Sequence, residues 1–354
     1  MDIIEYQQNI TVQYCFPDIN SSCKKEVRSG PGNALLFIFL SCISVCTVLL
    51  NLLVIISISH FKQLHTPTNL LILSLAAADL LMGMFVMPVN IVQLRDSCWY
   101  LGNIACTVIT VITFVSMAAS LYSMVFIAVD RYIAVSDPLH YSTRVTLYKS
   151  VLLLILAWSF CLLYSIIFLY FNDHLLESQI SNSCYGECVV ALKKPSIIVD
   201  VILFFLAPCS TILVLYSLIF ILARQQARAV RAVRNGTLKR HEGKFSNSTE
   251  TKAAKTLGVV IFVYLTCWIP LYLSSVLAES VTSVSVLWIL FAWLAYLNSS
   301  FNPIMYAIFY PWFRTSVKFI VTCRIFEFSS SICNLFPTNV YLFRFKLHLD
   351  VLYQ

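Results

Sequence analysis

Charge is what this sequence has least of. Charged side chains make up 12% of its 354 residues, against 59% hydrophobic, and mean hydropathy is +0.81. An ordinary soluble domain carries about twice that charged fraction. A chain this apolar cannot cover its own surface with polar groups, so composition alone implies an integral membrane protein. There is no internal repeat, no low-complexity linker and, despite 13 cysteines, no Cys/His spacing that resembles a zinc site. No metal of structural kind is therefore expected. The chain also lacks a basic start followed by a short apolar core, so no cleaved signal peptide is expected and the first span serves as the targeting segment.

The net charge of +7 matters less than its placement. Arg224, Arg228, Arg231, Arg234, Lys239, Arg240, Lys244, Lys252 and Lys255 crowd into one loop and its flanks. Apolar spans bound that loop on both sides, which argues against a nucleic-acid patch. An excess of Lys and Arg puts such a loop on the cytoplasmic side.

Seven apolar stretches are long enough to cross roughly 30 Å of hydrocarbon: about 34–58, 69–92, 103–135, 149–171, 196–222, 253–277 and 284–309. Lipid offers backbone groups no partners, so helices are expected. The expected fold is an all-α membrane protein, a seven-transmembrane helix bundle, spanning 34–325 with an N-terminal segment 1–33 and a tail 326–354. Seven is odd, so the termini lie on opposite faces, with the N-terminus outside a plasma membrane. Sequons at Asn9 and Asn20 agree with that side, while those at Asn235, Asn247 and Asn298 are expected to stay unmodified. Cys106, Cys184 and Cys188 lie at or between span ends, and Cys15 and Cys23 in the polar N-terminal segment; all five are disulfide candidates if that face is extracellular. After the seventh span, Phe313, Val317, Ile320 and Val321 recur at helical spacing, with Arg314, Ser316, Lys318 and Thr322 off that stripe. This predicts a short amphipathic eighth helix lying on the inner leaflet. Cys323 at its end is either a lipidation site or an unmodified thiol.

Polar groups inside spans mark function by default. Asp79 sits roughly 15 Å into the second span. With Ser116, Asn298, Ser299 and Asn302 it predicts an oxygen-lined site for an allosteric sodium ion or a water network; a lone protonated acid is the alternative. No other cofactor is expected. Asp130-Arg131-Tyr132 closes the third span, where Asp130 or Glu250 can pair with Arg131; an ordinary interfacial pair is of little weight. Pro270 in Cys267-Trp268-Ile269-Pro270 kinks the sixth span.

Taken together, these residues resemble the rhodopsin-like G-protein-coupled receptors. The pattern comprises Asn51, Leu75 to Asp79, Asp130-Arg131-Tyr132, Trp158, Pro208 with Tyr216, Cys267 to Pro270, and Asn302-Pro303-Ile304-Met305-Tyr306, in order over about 33–325. Within that class the chain is similar to the trace amine-associated receptors of the kind expanded in fishes. The stretch Asn298 to Arg314 is the most specific, joined by His60 to Asn69, Lys252 to Gly258 and Cys184 to Cys188. The resemblance implies disulfides Cys106–Cys188 and Cys23–Cys184, with Cys15 left over. It implies no enzyme activity, a small amine ligand, a stimulatory G protein acting through cyclic AMP in olfactory neurons, and arrestin and a receptor kinase as further partners. Asp130, Arg131, Tyr132, Glu250, Tyr216 and Tyr306 are its coupling residues.

Two departures stand out. Aminergic receptors carry an Asp in the third span, seven residues after the disulfide cysteine; here that position is Thr113. The usual Phe before the Cys-Trp-x-Pro motif is Tyr264. A displaced amine anchor is then expected, and Asp200 lies about 9 Å along the fifth helix from the interface. It reads as the ammonium partner, or else as an acid turned to the interface or bonded to a neighbouring hydroxyl. Phe114, Met117, Trp268, Leu271, Tyr272 and Tyr296 are expected to line the apolar part with Thr113, or else to serve as plain packing. Glu187 and Glu279 stand near the mouth. A serotonin-like monoamine receptor, which wants an acid at Thr113, and a receptor for a non-amine ligand are the competing readings. A light sensor is excluded by the lack of lysine in 284–309, and nothing in the spans shows the paired breaks of a transporter.

Overall fold

The computed structural model describes residues 13–28, 30–172, 184–188, 192–237, 246–277, 286–322 and 335. Within these, 223, 227, 229–237, 246–261, 286 and 309 are described by their backbone alone. Seven long helices form the bundle among the described residues. They are α1 (Pro31–His60), α2 (Pro67–Arg95), α3 (Gly102–Ser136), α4 (Leu147–Phe171), α5 (Lys194–Val201, Ile202–Leu206 and Ala207–Thr237 in continuous run), α6 (Ser246–Leu277) and α7 (Val286–Phe309). α1 to α5 are each long and apolar enough to cross a membrane. The bundle is as the apolar runs predict, and the tail, apart from Leu335, lies outside the described residues, as do Asn9, Glu279 and Cys323.

Local chemistry sets the helix starts and irregularities. Thr66 and Thr146 cap α2 and α4 by accepting from the Asn69 and Lys149 amides, each satisfying an orphan donor of the first turn. Pro67 occupies the first position of α2, where its missing N–H costs nothing. Inside spans, proline has the opposite effect: it frees the carbonyl four residues back. α2 widens into a π-turn at Met82–Val86 before Pro88, and α5 does so at Ile202–Leu206 before Pro208.

The freed carbonyls are met by side chains from other helices. Tyr272 of α6 turns its hydroxyl to Phe204 O, and Tyr122 of α3 turns its own to Leu203 O, both as long contacts of 3.5 Å. In α7, Pro303 frees Ser299 O, and Asn51 of α1 donates its amide there at 3.1 Å and to Thr47 O at 2.9 Å. α1 and α2 approach closely at Gly83, where an added Cβ would meet the Thr47 side chain at 3.0 Å; Ser44 donates to Gly83 O at 2.8 Å across the same seam.

α3 is the central helix, packed against α2, α4 and α5. The outer faces of α1 and α4 remain apolar and exposed, with Leu35, Ile38 and Phe39 on α1 and Leu152, Ile155 and Leu156 on α4 among them. That surface suits lipid rather than water. After α7, Pro311 opens α8 (Pro311–Val321). Phe313 is buried as its stripe predicts, and the Phe319 ring meets Phe61 at 6.0 Å. The stripe needs correction at two positions: Ser316 is fully buried and Val321 is exposed. Ser316 tolerates burial because its hydroxyl donates to Trp312 O at 2.9 Å.

The N-terminal segment folds as a small hairpin over one end of the bundle. Tyr14 bridges Lys24, Ser22 bridges Tyr185 and Val27 bridges Asp96. The Cys23–Cys184 and Cys106–Cys188 disulfides are formed. Cys15, left over in the sequence, pairs with Cys98 in the loop between α2 and α3. Peptide mapping under non-reducing conditions should recover a Cys15–Cys98 cross-linked pair. Cys98→Ser should leave Cys15 alkylatable and lower unfolding stability by about 2–4 kcal/mol; an unreactive Cys15 in that variant would mean a different pairing.

Candidate amine pocket and helix lock

Beneath the hairpin, α2 to α7 enclose a cavity of about 330 Å³. That is room for a small ligand. Thr113, Phe114 and Met117 of α3, Asp200 of α5, Trp268, Leu271 and Tyr272 of α6, and Tyr296 of α7 all line it. The helical period explains why they converge: Thr113 and Met117 are one turn apart on α3, as are Trp268 and Tyr272 on α6. Trp268 stacks on Tyr272 at 5.8 Å, and Tyr272 on Phe205 at 4.9 Å. Thr113 donates its hydroxyl to Ile109 O in its own helix at 2.8 Å, so it offers the cavity a methyl and an occupied hydroxyl, not a charge.

Asp200 is both a wall of this cavity and a hydrogen-bonded acid. The Tyr164 hydroxyl of α4 donates to its Oδ1 at 3.3 Å. Tyr164 was not legible as a site residue, because a tyrosine on an otherwise apolar span reads as packing. Glu26 and Arg28 of the hairpin also line the cavity, as does Glu187. Sequence reasoning had no signal for the first two, which reach the site only through the pairing of Val27 with Asp96.

A second polar site lies deeper. Asp79 is fully buried; Ser120 donates to its Oδ1 at 3.0 Å and Asn302 to its Oδ2 at 2.7 Å. Ser120, one turn beyond Ser116, thus touches the carboxylate where Ser116 was expected to. Ser116 Oγ is buried without a hydrogen-bond partner. Asn298 and Ser299 are buried alongside on α7, and Ser299 lends its carbonyl to Asn51. Buried carboxylate and hydroxyl oxygens with one hydroxyl unpaired fit a hard cation, which takes oxygen ligands.

At the opposite end, Arg131 is held by its own neighbour. Its Nη2 and Nε donate to Asp130 Oδ2 at 2.8 and 3.2 Å, and Nη2 also reaches the Thr68 hydroxyl. Asp130 accepts from Thr68 at 2.7 Å and from Tyr141 at 2.7 Å. Thr68 and Tyr141 complete this lock and escaped the sequence reading. Burial holds the Tyr141 phenol above its ordinary pKa, keeping it a donor. In the same loop a His140 hydrogen bond holds the Asp137 carboxyl below its ordinary pKa. Tyr132 and Tyr216 are half-buried, and Tyr306 is buried with its ring 5.9 Å from Tyr310. Glu250 lies in α6 with its side chain outside the described residues.

Ser120→Ala should therefore lower thermal stability by about 1–3 kcal/mol, the cost of stranding a buried acceptor, whereas Ser116→Ala should be near neutral in choline medium. Melting curves in sodium and in choline medium check this. An equal loss at Ser116 confined to sodium medium would mean that an ion supplies its partner.

Comparison with known proteins agrees with this architecture. Residues 50–306 match the 7 transmembrane receptor (rhodopsin family) domain. Trace amine-associated receptor 13c of Danio rerio is 39% identical over 331 residues, covering 92% of this chain and 96% of the relative. Trace amine-associated receptor 6 of Pan troglodytes is 38% identical over 94% of this chain and 98% of its own length. Trace amine-associated receptor 7c of Rattus norvegicus is 37% identical over 92% and 93%. An apolar bundle, a roofed cavity and a locked arginine, together with these matches, make the chain a multi-pass membrane receptor rather than an enzyme, and it belongs to the trace amine-associated receptors of the rhodopsin family.

Proposed function

We propose that this receptor detects small amines, pairing the ligand ammonium with Asp200. The observation that carries the reading is the charge pattern of the cavity wall: an acid on α5 and an uncharged, self-bonded threonine at position 113 of α3. A carboxylate at this depth is costly without a cationic partner, and an ammonium supplies a charge-assisted hydrogen bond. Trp268, Tyr272 and Tyr296 add faces that favour a cation. The amine then enters with its charged end toward α5, opposite to the orientation in receptors whose acid is on α3. The Tyr164 hydroxyl bond favours a second reading, in which Asp200 is structural and the ligand is not an amine.

Orientation follows from charge and redox chemistry. Three disulfides on the hairpin face require an oxidising side, and the basic segment after α5 favours the cytoplasm. The N-terminus is outside, the plasma membrane is the destination, and Asn20, exposed on the hairpin, and Asn9 carry glycans. Sodium binds at Asp79 through Ser120, with Ser116 within the same oxygen set, and stabilises the resting bundle by neutralising that acid. Ligand binding between Asp200 and Trp268 shifts α6 about the kink at Pro270 and releases Arg131, opening a groove for a stimulatory G protein. Such a shift requires tighter binding of the amine to the open state. Cyclic AMP, an olfactory setting, later capture by a receptor kinase and arrestin, and lipidation of Cys323 complete the reading.

A cyclic-AMP assay across an amine panel tests it, with surface expression measured in parallel. Asp200→Ala should weaken amine potency by about 100-fold, the loss typical of truncating a paired buried charge, and Thr113→Asp added to it should restore response. Full potency in an Asp200→Ala variant that reaches the surface would leave the structural reading standing. Tyr141→Phe, which removes one donor from Asp130, should raise signalling without ligand several-fold; a basal level equal to that of the native receptor would detach Tyr141 from the lock.

A further inference from the structure

Asp200 does not face the cavity with both oxygens free. Tyr164 reaches it across the seam between α4 and α5 and donates to Oδ1 at 3.3 Å. The phenol ring is clamped. Phe160, Tyr164 and Phe168 recur every four residues on one face of α4, with ring centroids 6.3 and 5.7 Å apart. Phe204, one turn along α5 from Asp200, meets the Tyr164 ring at 4.6 Å. Phe168 in turn packs on Phe114 of α3 at 5.1 Å. The ring is held between Phe160, Phe168 and Phe204, and its hydroxyl is directed at Asp200 Oδ1.

We propose that Tyr164 is a positioning and specificity-determining residue of the amine site: it occupies one acceptor direction of Asp200 Oδ1, so that a ligand meets one uncontested carboxylate oxygen and one it must share with the phenol, which favours ammonium over guanidinium or amidinium ligands. The inference rests on the amine reading of Asp200. An ammonium is a compact point charge that needs one oxygen for a charge-assisted hydrogen bond. A guanidinium is a planar fork whose strong pairing uses both carboxylate oxygens in parallel. With Oδ1 already accepting from the phenol, the second prong of the fork must share that oxygen with Tyr164, whereas an ammonium needs only the other one. The Tyr164 ring is itself part of the cavity wall and so offers a cation an aromatic face. Tyr164 also explains how Asp200 rests in the unliganded receptor: the phenol is a donor to it before an ammonium arrives and stays one afterwards.

The test uses purified full-length receptor in detergent and matched probes, 2-phenylethylamine and 2-phenylethylguanidine, titrated while the thermal midpoint is followed. Bound ligand raises the midpoint by mass action. Native receptor should bind the amine at least about tenfold more tightly than the guanidine, and Tyr164→Phe should bring that ratio to about one, chiefly by improving the guanidine. A purely structural role would weaken both probes equally and leave the ratio unchanged, which would overturn the assignment. Asp200→Asn separates the two levels. If it abolishes the amine shift while Tyr164→Phe keeps the ratio, only the Tyr164 role is lost. If it keeps the amine shift, or if native receptor responds to neither probe, the amine reading falls too. Should the Phe variant fail to fold, Asp200→Glu reads the same point, since its longer side chain slips the phenol's hold and should narrow the preference.

Discussion

The fold depends on one constraint: a backbone carbonyl released inside hydrocarbon must find a donor, because lipid supplies none. Prolines at 208 and 303 release Phe204 O and Ser299 O, and the answering donors come from other helices, Tyr272 of α6 and Asn51 of α1. Each break in a helix is thereby turned into a tie between helices. The same ties reach the cavity and the buried acid. Tyr272 lines the ligand cavity while holding α5 at its π-turn, so pressure on its ring is felt by the helix that carries Asp200. Asn51 binds α1 to the stretch of α7 that also supplies Asn302 to Asp79. Cavity, buried acid and helix break are therefore mechanically continuous.

How much of this was legible in the sequence differs with the physics involved. The spans were readable because a 20-residue apolar run has one solution in lipid. The eight cavity residues were readable because the family resemblance marks the level of the ligand, and helical spacing then carries Thr113, Asp200 and Trp268 to it. Asn302 beside Asp79 and Arg131 beside Asp130 were readable too, but the hydroxyl donors to the buried acids were not. Tyr164, Thr68 and Tyr141 act through hydroxyls whose direction depends on how neighbouring helices rotate, and one sequence carries no record of rotation. Ser116 and Ser120 show the limit well. They lie one turn apart on α3, and which of them meets Asp79 is decided by packing between α2 and α3 rather than by spacing. The pairing of Cys15 was illegible for a similar reason, since its partner Cys98 sits in a loop whose path only the hairpin defines.

Charge placement in the cavity divides into a roof and a floor. The roof mixes Glu26, Arg28 and Glu187, while the deeper wall carries Asp200 amid aromatic rings. A wet, mixed-sign entrance loses little on passing a cation, whereas a dry acid gains much by meeting one. The polar lock around Arg131 is built on the contrasting plan, with Asp130 accepting from Thr68, Tyr141 and Arg131 together. One acid is left with an oxygen to spare and the other has none.

The hairpin has a consequence for how the receptor is made. Its two cysteines pair with residues 83 and 161 positions further along the chain. The segment synthesised first can be fastened only after α2 and then α4 have been threaded into the bilayer and their loops exposed to an oxidant. Glu26 and Arg28, which arrive in the cavity with that hairpin, are thus installed late. The roof of the cavity is therefore closed by covalent bonds that can form only after the helices bearing their partners are in place.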